Sequence, residues 1–344
     1  MKKNPYNMIF GKEPPEMLSR VVQRTNILTS FQDESQQIYM ITGIRGSGKT
    51  VFMTDIAKTL AKDPSWVVLE LAPSQDIPKE IAAGLASENQ LAKIFQNASI
   101  NLSFFGIGLT VKESVPISSI QVALTKMLES LKKHGKKVLI CIDEVIVTDS
   151  MKQFASMFQI LVRQDLPVYL LMTGLYENIN GLQNEKNLTF LYRAPRIDLK
   201  PLNLSLIADN YQRNFNISYE QADEMARLTR GYSFAFQVLG HFTWENDGDY
   251  HKALPDYRVY LEEYVYDKVW SELATGDRRF VHGLTEVSGG KAKEIKEYLS
   301  LSNGEYSVYR DRLIKRGLIN GDEHGVVRFV LPLFEEYVKR HYFE

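Results

Sequence analysis

Near its start the chain contains the octapeptide Gly43-Ile44-Arg45-Gly46-Ser47-Gly48-Lys49-Thr50. It follows the apolar run Ile38-Tyr39-Met40-Ile41 and leads, at Val51, into a helix-like stretch. Its glycines let backbone N–H groups turn toward an anion, while the Lys49 ammonium reaches phosphate oxygens and the Thr50 hydroxyl binds Mg²⁺. Because a strand precedes the motif and a helix follows it, the sequence predicts a phosphate-binding P-loop. All eight residues, together with Val51, are predicted to bind a nucleotide.

Length and composition limit the classes of protein that are possible. The chain has 344 residues, which exceeds the size of a usual single core and predicts two or three domains. Its formal net charge of −1 excludes a globally basic nucleic-acid binder. Cys141 is the only cysteine, which excludes an intrachain disulfide and favours a reducing compartment. Since no signal-peptide core and no apolar run of membrane-spanning length is present, the sequence predicts a soluble cytoplasmic protein.

A second motif ends the apolar run of residues 138–142. Asp143 and Glu144 follow this run directly, which is the Walker B pattern. A buried parallel strand delivers its carboxyl end to the same edge of the sheet as a P-loop. We therefore expect Asp143 to hold Mg²⁺ through water, and Glu144 to orient and polarise the attacking water. The alternative for such a pair is a solvated strand end or a helix N-cap.

Hydrophobic patterns elsewhere in residues 1–200 predict an α/β fold built around a parallel sheet. Further buried strands are expected at 66–71, 167–172 and 197–199, and helices at 17–31, 77–95, 118–134 and 151–163. An alternating, glycine-bearing segment at 99–111 is interpreted as a β-hairpin inserted beside the core.

Three further residues are candidates for reading the γ-phosphate. Thr173 follows a predicted strand, where its hydroxyl would lie between Glu144 and the phosphate; alternatively, it caps the next helix. Arg193 and Arg196 precede a short predicted strand. Either is a candidate arginine finger for a neighbouring subunit's nucleotide or a γ-phosphate contact within the chain, and surface ion pairing is the alternative.

The order of these parts resembles a known group. It is similar to the AAA+ ATPases of the clade that joins archaeal and bacterial ATP-binding proteins to origin-recognition initiators and the STAND signalling ATPases. The motifs that carry the resemblance are the P-loop, Asp143-Glu144, Thr173-Gly174, Tyr192-Arg193 and Leu199-Lys200-Pro201-Leu202. The opening of the chain is also similar to the clade's N-terminal box, which lies against the adenine; its residues are Asn4-Pro5, Phe10-Gly11, Pro14-Pro15 and Arg20.

The resemblance implies a small helical lid that closes over the adenine and ribose. Helical patterns at 204–214, 218–229 and 234–244 support such a lid independently. The lid motif departs from the Gly-x-Pro of relatives, since it reads Gly231-Tyr232-Ser233. Arg230 precedes this turn and would reach the phosphates, or else it is an exposed arginine that complements a helix dipole.

Residues 277–344 have the pattern of a winged helix, with three helices followed by two short strands around a turn. The third helix carries the side chains available for DNA phosphates or base edges, which are Ser307, Arg310, Arg312, Lys315 and Arg316. Acidic and basic residues are nearly balanced over this segment, which is not typical of a strong DNA binder. Protein docking or autoinhibition is therefore the alternative. The predicted domains are an α/β core at 1–200, a lid and linker at 201–275 and a winged helix at 276–344.

Together these patterns predict a Mg²⁺-dependent ATPase that binds ATP and ADP and couples nucleotide state to movement of the lid and winged helix. Double-stranded DNA is the predicted partner, with a homo-oligomer or another protein as further possibilities. A STAND-like switch whose winged helix docks protein is the alternative function. A nucleotide kinase fits less well, because no lid for an acceptor substrate is evident in the sequence.

Overall fold

The structure is a computed structural model that describes residues 3–9, 11–73, 76–109 and 116–343. It divides into two compact units. The sheet unit comprises Arg20–Thr42 and Lys49–Asp198. The helical unit comprises the described residues of 3–19, Gly43–Gly48 and 199–343. The chain therefore passes from one unit to the other at both ends of the glycine-rich part of the P-loop.

The sheet unit is built on a five-stranded parallel sheet of order β2-β3-β4-β1-β5. Its strands are β1 Ile38–Thr42, β2 Trp66–Leu71, β3 Lys137–Ile142, β4 Val168–Gly174 and β5 Arg196–Asp198. All residues of β1 and β4 are buried, as expected of central parallel strands that helices cover on both faces. This sheet confirms the predicted α/β fold class.

Seven helices of the sheet unit lie between or beside these strands in the described residues. They are α1 Val21–Gln32, α2 Lys49–Leu60, α3 Ile77–Ser87, α4 Asn89–Asn97, α5 Ile120–Lys133, α6 Asp149–Arg163 and α7 Tyr176–Gln183. Side chains at the N-caps fix the starts of three of them: Asp76, Ser119 and Thr148 accept backbone N–H groups of α3, α5 and α6.

The predicted β-hairpin at 99–111 is wrong over its described part. Residues 99–109 contain no strand, and Ser103–Phe105 forms a single 3₁₀ turn. The Asn101 side chain accepts the Ser103 N–H at 3.1 Å, and Gly106 ends the turn with φ 72°. This local side-chain bond competes with strand pairing, which the alternating pattern alone did not reveal. Residues 110 and 111 lie outside the described residues.

The helical unit begins with the three predicted lid helices. They are followed by a long helix that contains a π-helical turn at Glu262–Tyr266. The elements are α8 Leu204–Phe215, α9 Tyr219–Thr229, α10 Ser233–Glu245, α11 Tyr250–Leu261 and α12 Asp267–Ser271. Ser218 and Gln221 form a reciprocal capping box that fixes the start of α9.

The C-terminal segment of the helical unit has four helices and two short antiparallel strands. These are α13 Thr275–Glu286, α14 Ala292–Leu299, α15 Asn303–Lys315, β6 Ile319–Asn320, β7 Arg328–Phe329 and α16 Phe334–His341. Helix α15 starts at Asn303, before the start at Tyr306 that the sequence pattern predicts, because Ser302 and Glu305 form a capping box. Helix α16 was not predicted.

One hydrophobic core runs through the lid and the C-terminal segment. It includes Phe236 of α10, Tyr266 of the π-helical turn, Phe280 of α13 and Phe334 of α16. The predicted boundary between 275 and 276 therefore does not coincide with a break in the core, and the division into three domains stays a prediction. No helix in the described part of the chain is long and apolar enough to cross a membrane.

Candidate nucleotide site

Asp143 is the centre of a hydrogen-bonded cluster in the sheet unit. It follows β3 directly, and its Oδ2 accepts the Thr50 hydroxyl at 2.7 Å. Its Oδ1 accepts the Thr173 hydroxyl and the Glu144 backbone N–H, the latter at 3.0 Å. Parallel strands end at one edge of the sheet, so residues distant in sequence converge there. Three oxygen-bearing side chains from β3, β4 and α2 are thus brought together.

Thr173 is fully buried within β4. Its hydroxyl donates to Asp143 and also accepts the Glu144 N–H at 3.2 Å. The alternative, that Thr173 caps the next helix, does not hold, because the N-cap of α7 is Leu175 and no side chain caps it. Thr173 therefore orients the residues of the Walker B motif, and its contact with the γ-phosphate stays a prediction.

Glu144 has a left-handed backbone with φ 50° and an exposed side chain. This conformation is uncommon for a residue with a Cβ and is stabilised here by the two hydrogen bonds that its N–H donates. At this left-handed residue the chain turns away from the direction of β3. Glu144 bonds to the cluster around Asp143 through its backbone N–H, while its carboxylate is exposed. Such placement suits a group that must act on a solvent molecule.

Lys49 is the first residue of α2 and is only 8% exposed. The N-terminus of a helix carries partial positive charge and backbone N–H groups without helical partners. A buried ammonium at this position is a strong anion-binding feature. The start of α2 is fixed by its apolar face, where Phe52, Met53 and Ile56 are buried.

The P-loop residues of the helical unit are hydrogen-bonded to the start of α10. The Tyr232 hydroxyl donates to the Arg45 carbonyl at 2.6 Å, the Phe234 N–H to the Gly46 carbonyl at 3.1 Å, and the Ser233 hydroxyl to the Ser47 carbonyl at 3.0 Å. A Cβ on Gly46 would lie 2.0 Å from the Tyr232 hydroxyl oxygen, so glycine is required for this approach.

The same loop also meets Glu272, which follows α12, and Gly317 of the C-terminal segment. The Arg45 guanidinium lies 3.2 Å from the Glu272 carboxylate, which Lys268 also approaches at 3.4 Å. A Cβ on Gly317, which follows α15, would lie 3.5 Å from the Cβ of Ile44. Sequence patterns did not single out Glu272, because one acidic residue at a helix end is an ordinary surface feature.

The N-terminal arm is bound to the lid. Tyr6 is buried, stacks on Phe215 at 5.6 Å and donates its hydroxyl to Asn210 at 2.8 Å. Asn4 donates to the Glu245 carboxylate at 3.0 Å. The arm is thus part of the core of the helical unit. The adenine contact that the resemblance implies for it stays a prediction, and Phe10 lies outside the described residues.

The candidate arginines differ in their surroundings. Arg193 is exposed on a 3₁₀ turn, whereas Arg196 pairs with Asp198 at 3.1 Å and lies over the Tyr176 ring at 4.8 Å. Arg230 donates to the carbonyls of residues 329 and 331, at 3.1 and 3.2 Å, which does not favour a phosphate contact. Arg20 precedes α1, and burial lowers its pKa to about 10.

Two of the five candidate DNA contacts on or just after α15 bind a buried carboxylate. Arg312 donates to Asp277 at 2.9 Å and Arg316 lies 3.6 Å from it, and the Asp277 side chain is 2% exposed. Arg310 donates to the Gly321 carbonyl at 3.2 Å. Ser307 and Lys315 are exposed. The sequence did not reveal Asp277 as their partner, since an acidic residue in a first helical turn usually serves the dipole.

Comparison with protein families finds two matches. Residues 19–169 match the model of an ATPase domain found predominantly in Archaea. Residues 263–338 match the model of a domain of unknown function. No curated protein is similar to the chain by sequence.

Several solved structures share the fold. A Walker-type ATPase of Pyrococcus abyssi is 15% identical with a TM-score of 0.67, and the match covers 94% of this chain and 96% of that one. The ORC2 protein of Aeropyrum pernix, in ADPNP–ADP complexes, is 12% identical with a TM-score of 0.61, over 97% and 96% of the two chains. At these identities the likeness establishes the fold.

The parallel sheet, the P-loop and the Asp143 cluster, together with the ATPase-domain match and these likenesses, show the fold of a P-loop ATPase of the AAA+ type.

Proposed function

We propose that the chain binds ATP with Mg²⁺, hydrolyses it slowly and changes the state of its lid and C-terminal segment with the bound nucleotide. The Thr50 hydroxyl and the Asp143 carboxylate, 2.7 Å apart, are the hard oxygen ligands that Mg²⁺ prefers. Bound there, Mg²⁺ would neutralise charge on the phosphates. Lys49 would clamp the phosphate oxygens, and Glu144 would orient the attacking water.

The observation that carries the coupling is the bonding of the P-loop within the helical unit. Its residues bind the lid through Tyr232, Ser233 and Phe234. They also bind the end of α12, which leads into the C-terminal segment, through the Arg45–Glu272 ion pair. A ligand shifts a conformational equilibrium by its difference in affinity for the two states. A difference between ATP and ADP in their interaction with the P-loop would therefore act on both sets of contacts at once.

Amide hydrogen exchange tests the coupling. We expect Mg-ATP and Mg-ADP to change exchange differently in residues 231–235 and 270–277, because the P-loop contacts both segments. The Lys49→Ala variant, which should not hold the nucleotide, serves as the control and should show no such change. Coupling is wrong if nucleotide binds with saturation while its effects stay confined to the sheet unit.

If the chain acts on DNA, the C-terminal segment is the part that would contact it. We regard residues 275–341 as a winged helix, in which α15 is the recognition helix and the β6–β7 hairpin is the wing. Exposed Ser307 and Lys315 support a role in phosphate contact, whereas the bonds of Arg312 and Arg316 to Asp277 favour a structural role for those two. The footprint for DNA is therefore small.

Salt dependence of binding to duplex DNA tests this form. If Lys315 contacts phosphate, Lys315→Ala should reduce the slope of log affinity against log salt by about 1, while Lys186→Ala, an exposed lysine of the sheet unit, should leave it unchanged. Absence of DNA binding at low salt, with either nucleotide, excludes DNA as the partner. The STAND-like switch would then be favoured by ADP that stays bound through purification.

Arg193 is the better candidate for an arginine finger in a homo-oligomer. It is exposed, while Arg196 already pairs with Asp198 and lies over Tyr176. An arginine that acts on a neighbouring subunit's nucleotide must be accessible, and its contribution to phosphoryl transfer is large.

A further inference from the structure

Three consecutive residues of the lid bind three consecutive carbonyl groups of the P-loop. Tyr232 and Ser233 donate through their hydroxyls to the carbonyls of Arg45 and Ser47, and the Phe234 N–H donates to the carbonyl of Gly46. Phe234 lies in the first turn of α10, where backbone N–H groups lack helical partners. The N-cap of that helix, Tyr232, provides no side-chain cap, so the Gly46 carbonyl takes this part.

Because the peptide unit is planar, these bonds also fix the direction of the N–H groups of the loop. In a planar trans peptide the carbonyl of one residue and the N–H of the next point in opposite directions. With the carbonyls of residues 45–47 directed at the lid turn, the N–H groups of Gly46, Ser47 and Gly48 are directed away from it. Among these groups, the Ser47 N–H donates to the Ile44 carbonyl within the loop at 3.1 Å, so the Gly46 and Gly48 N–H groups are the ones that the bonds to the lid turn direct toward an anion. Inward-facing N–H groups of this kind are what a P-loop presents to phosphate.

We propose that Tyr232, assisted by Ser233, is a positioning residue that holds the P-loop in its phosphate-binding conformation before the nucleotide arrives. This inference rests on the proposed ATP site. It assigns a role to the lid turn Gly231-Tyr232-Ser233, whose sequence differs from the Gly-x-Pro of relatives. Tyr232 is 2% exposed, and burial raises the pKa of its hydroxyl well above the usual range, so the hydroxyl remains a donor. Preorganisation lowers the cost of ordering the loop on binding.

The chain offers a matched control for removing this hydroxyl. Tyr257 is also buried in the helical unit, and its hydroxyl donates to the Leu228 carbonyl at 3.0 Å. Tyr232→Phe and Tyr257→Phe each delete one buried hydroxyl bonded to a carbonyl, so both should lower the melting temperature similarly. Only Tyr232→Phe should weaken ATP binding, by about fivefold, which corresponds to one hydrogen bond. Adding Ser233→Ala should weaken it by about fivefold more.

Binding of tripolyphosphate, which has no adenosine, locates the effect. If Tyr232 acts through the loop, Tyr232→Phe should weaken tripolyphosphate and ATP by the same factor. An effect on ATP alone would mean that the lid acts on the adenosine, and the inference would be overturned. Equal affinities of the Tyr232→Phe and Tyr257→Phe variants for ATP would overturn the inference as well.

Lys49→Ala is measured in the same assays to separate the two levels of the proposal. If this variant binds ATP as tightly as the native chain, the ATP site is misplaced and the inference falls with it. If Lys49→Ala loses affinity and Tyr232→Phe matches its control, the ATP site stands and only the positioning role of Tyr232 is wrong.

Discussion

Lys49→Ala is expected to lower the affinity for ATP by about 100-fold or more, as measured by calorimetric titration with Mg-ATP. Lys49 begins α2 and is nearly buried. Its ammonium would make charge-assisted bonds to two phosphate groups, and each is worth roughly 1.5–3 kcal/mol, where 1.4 kcal/mol is a factor of ten. Alanine favours the helix, so the variant should stay folded.

Lys58→Ala is the matched control for Lys49→Ala. Lys58 lies on the same helix, but its side chain is exposed in the last turn, at the end of the helix opposite Lys49. ATP affinity should be unchanged in this variant. Unchanged affinity in Lys49→Ala itself, with a native circular dichroism spectrum, would contradict the assignment of the P-loop.

Glu144→Gln is expected to leave ATP affinity intact and to lower the turnover number by about 100- to 1,000-fold, as measured by phosphate release at saturating Mg-ATP. The side chain is exposed and outside the hydrogen bonds around Asp143, which use the Glu144 backbone N–H instead. An amide of the same shape therefore preserves the cluster. It cannot accept a proton from water, and a positioned base contributes about 10²–10⁴-fold.

Two further variants serve as comparisons for the turnover and binding of Glu144→Gln. Glu129→Gln neutralises an exposed carboxylate on α5 of the same unit and should keep full activity. Asp143→Asn should instead weaken the Mg²⁺ dependence of ATP binding, because an amide lacks the negative charge of the carboxylate that would hold Mg²⁺ beside Thr50. A Glu144→Gln variant with undiminished turnover would move the role of base to another residue.

Much of the sheet unit could be predicted because its signals are local. Continuous apolar runs mark the buried strands, and the P-loop and Asp143-Glu144 each occupy consecutive positions. The prediction of a hairpin at 99–111 is wrong over its described part because a single side-chain bond decides the local structure. Asn101 bonds to Ser103 and favours a 3₁₀ turn over strand pairing. Alternation of apolar residues does not register such a side-chain bond.

The ATPase class and the residues of the phosphate motif can be read from local sequence, because glycines, a lysine and a hydroxyl at fixed spacing are required by the chemistry of phosphate. The residues that surround this motif became known from the folded structure. Tyr232 and Glu272 meet the P-loop residue Arg45 across more than half of the chain, and Asp277 meets Arg312 from a different helix. Such partners are set by the packing of helices on a shared core, and no spacing along the sequence encodes them.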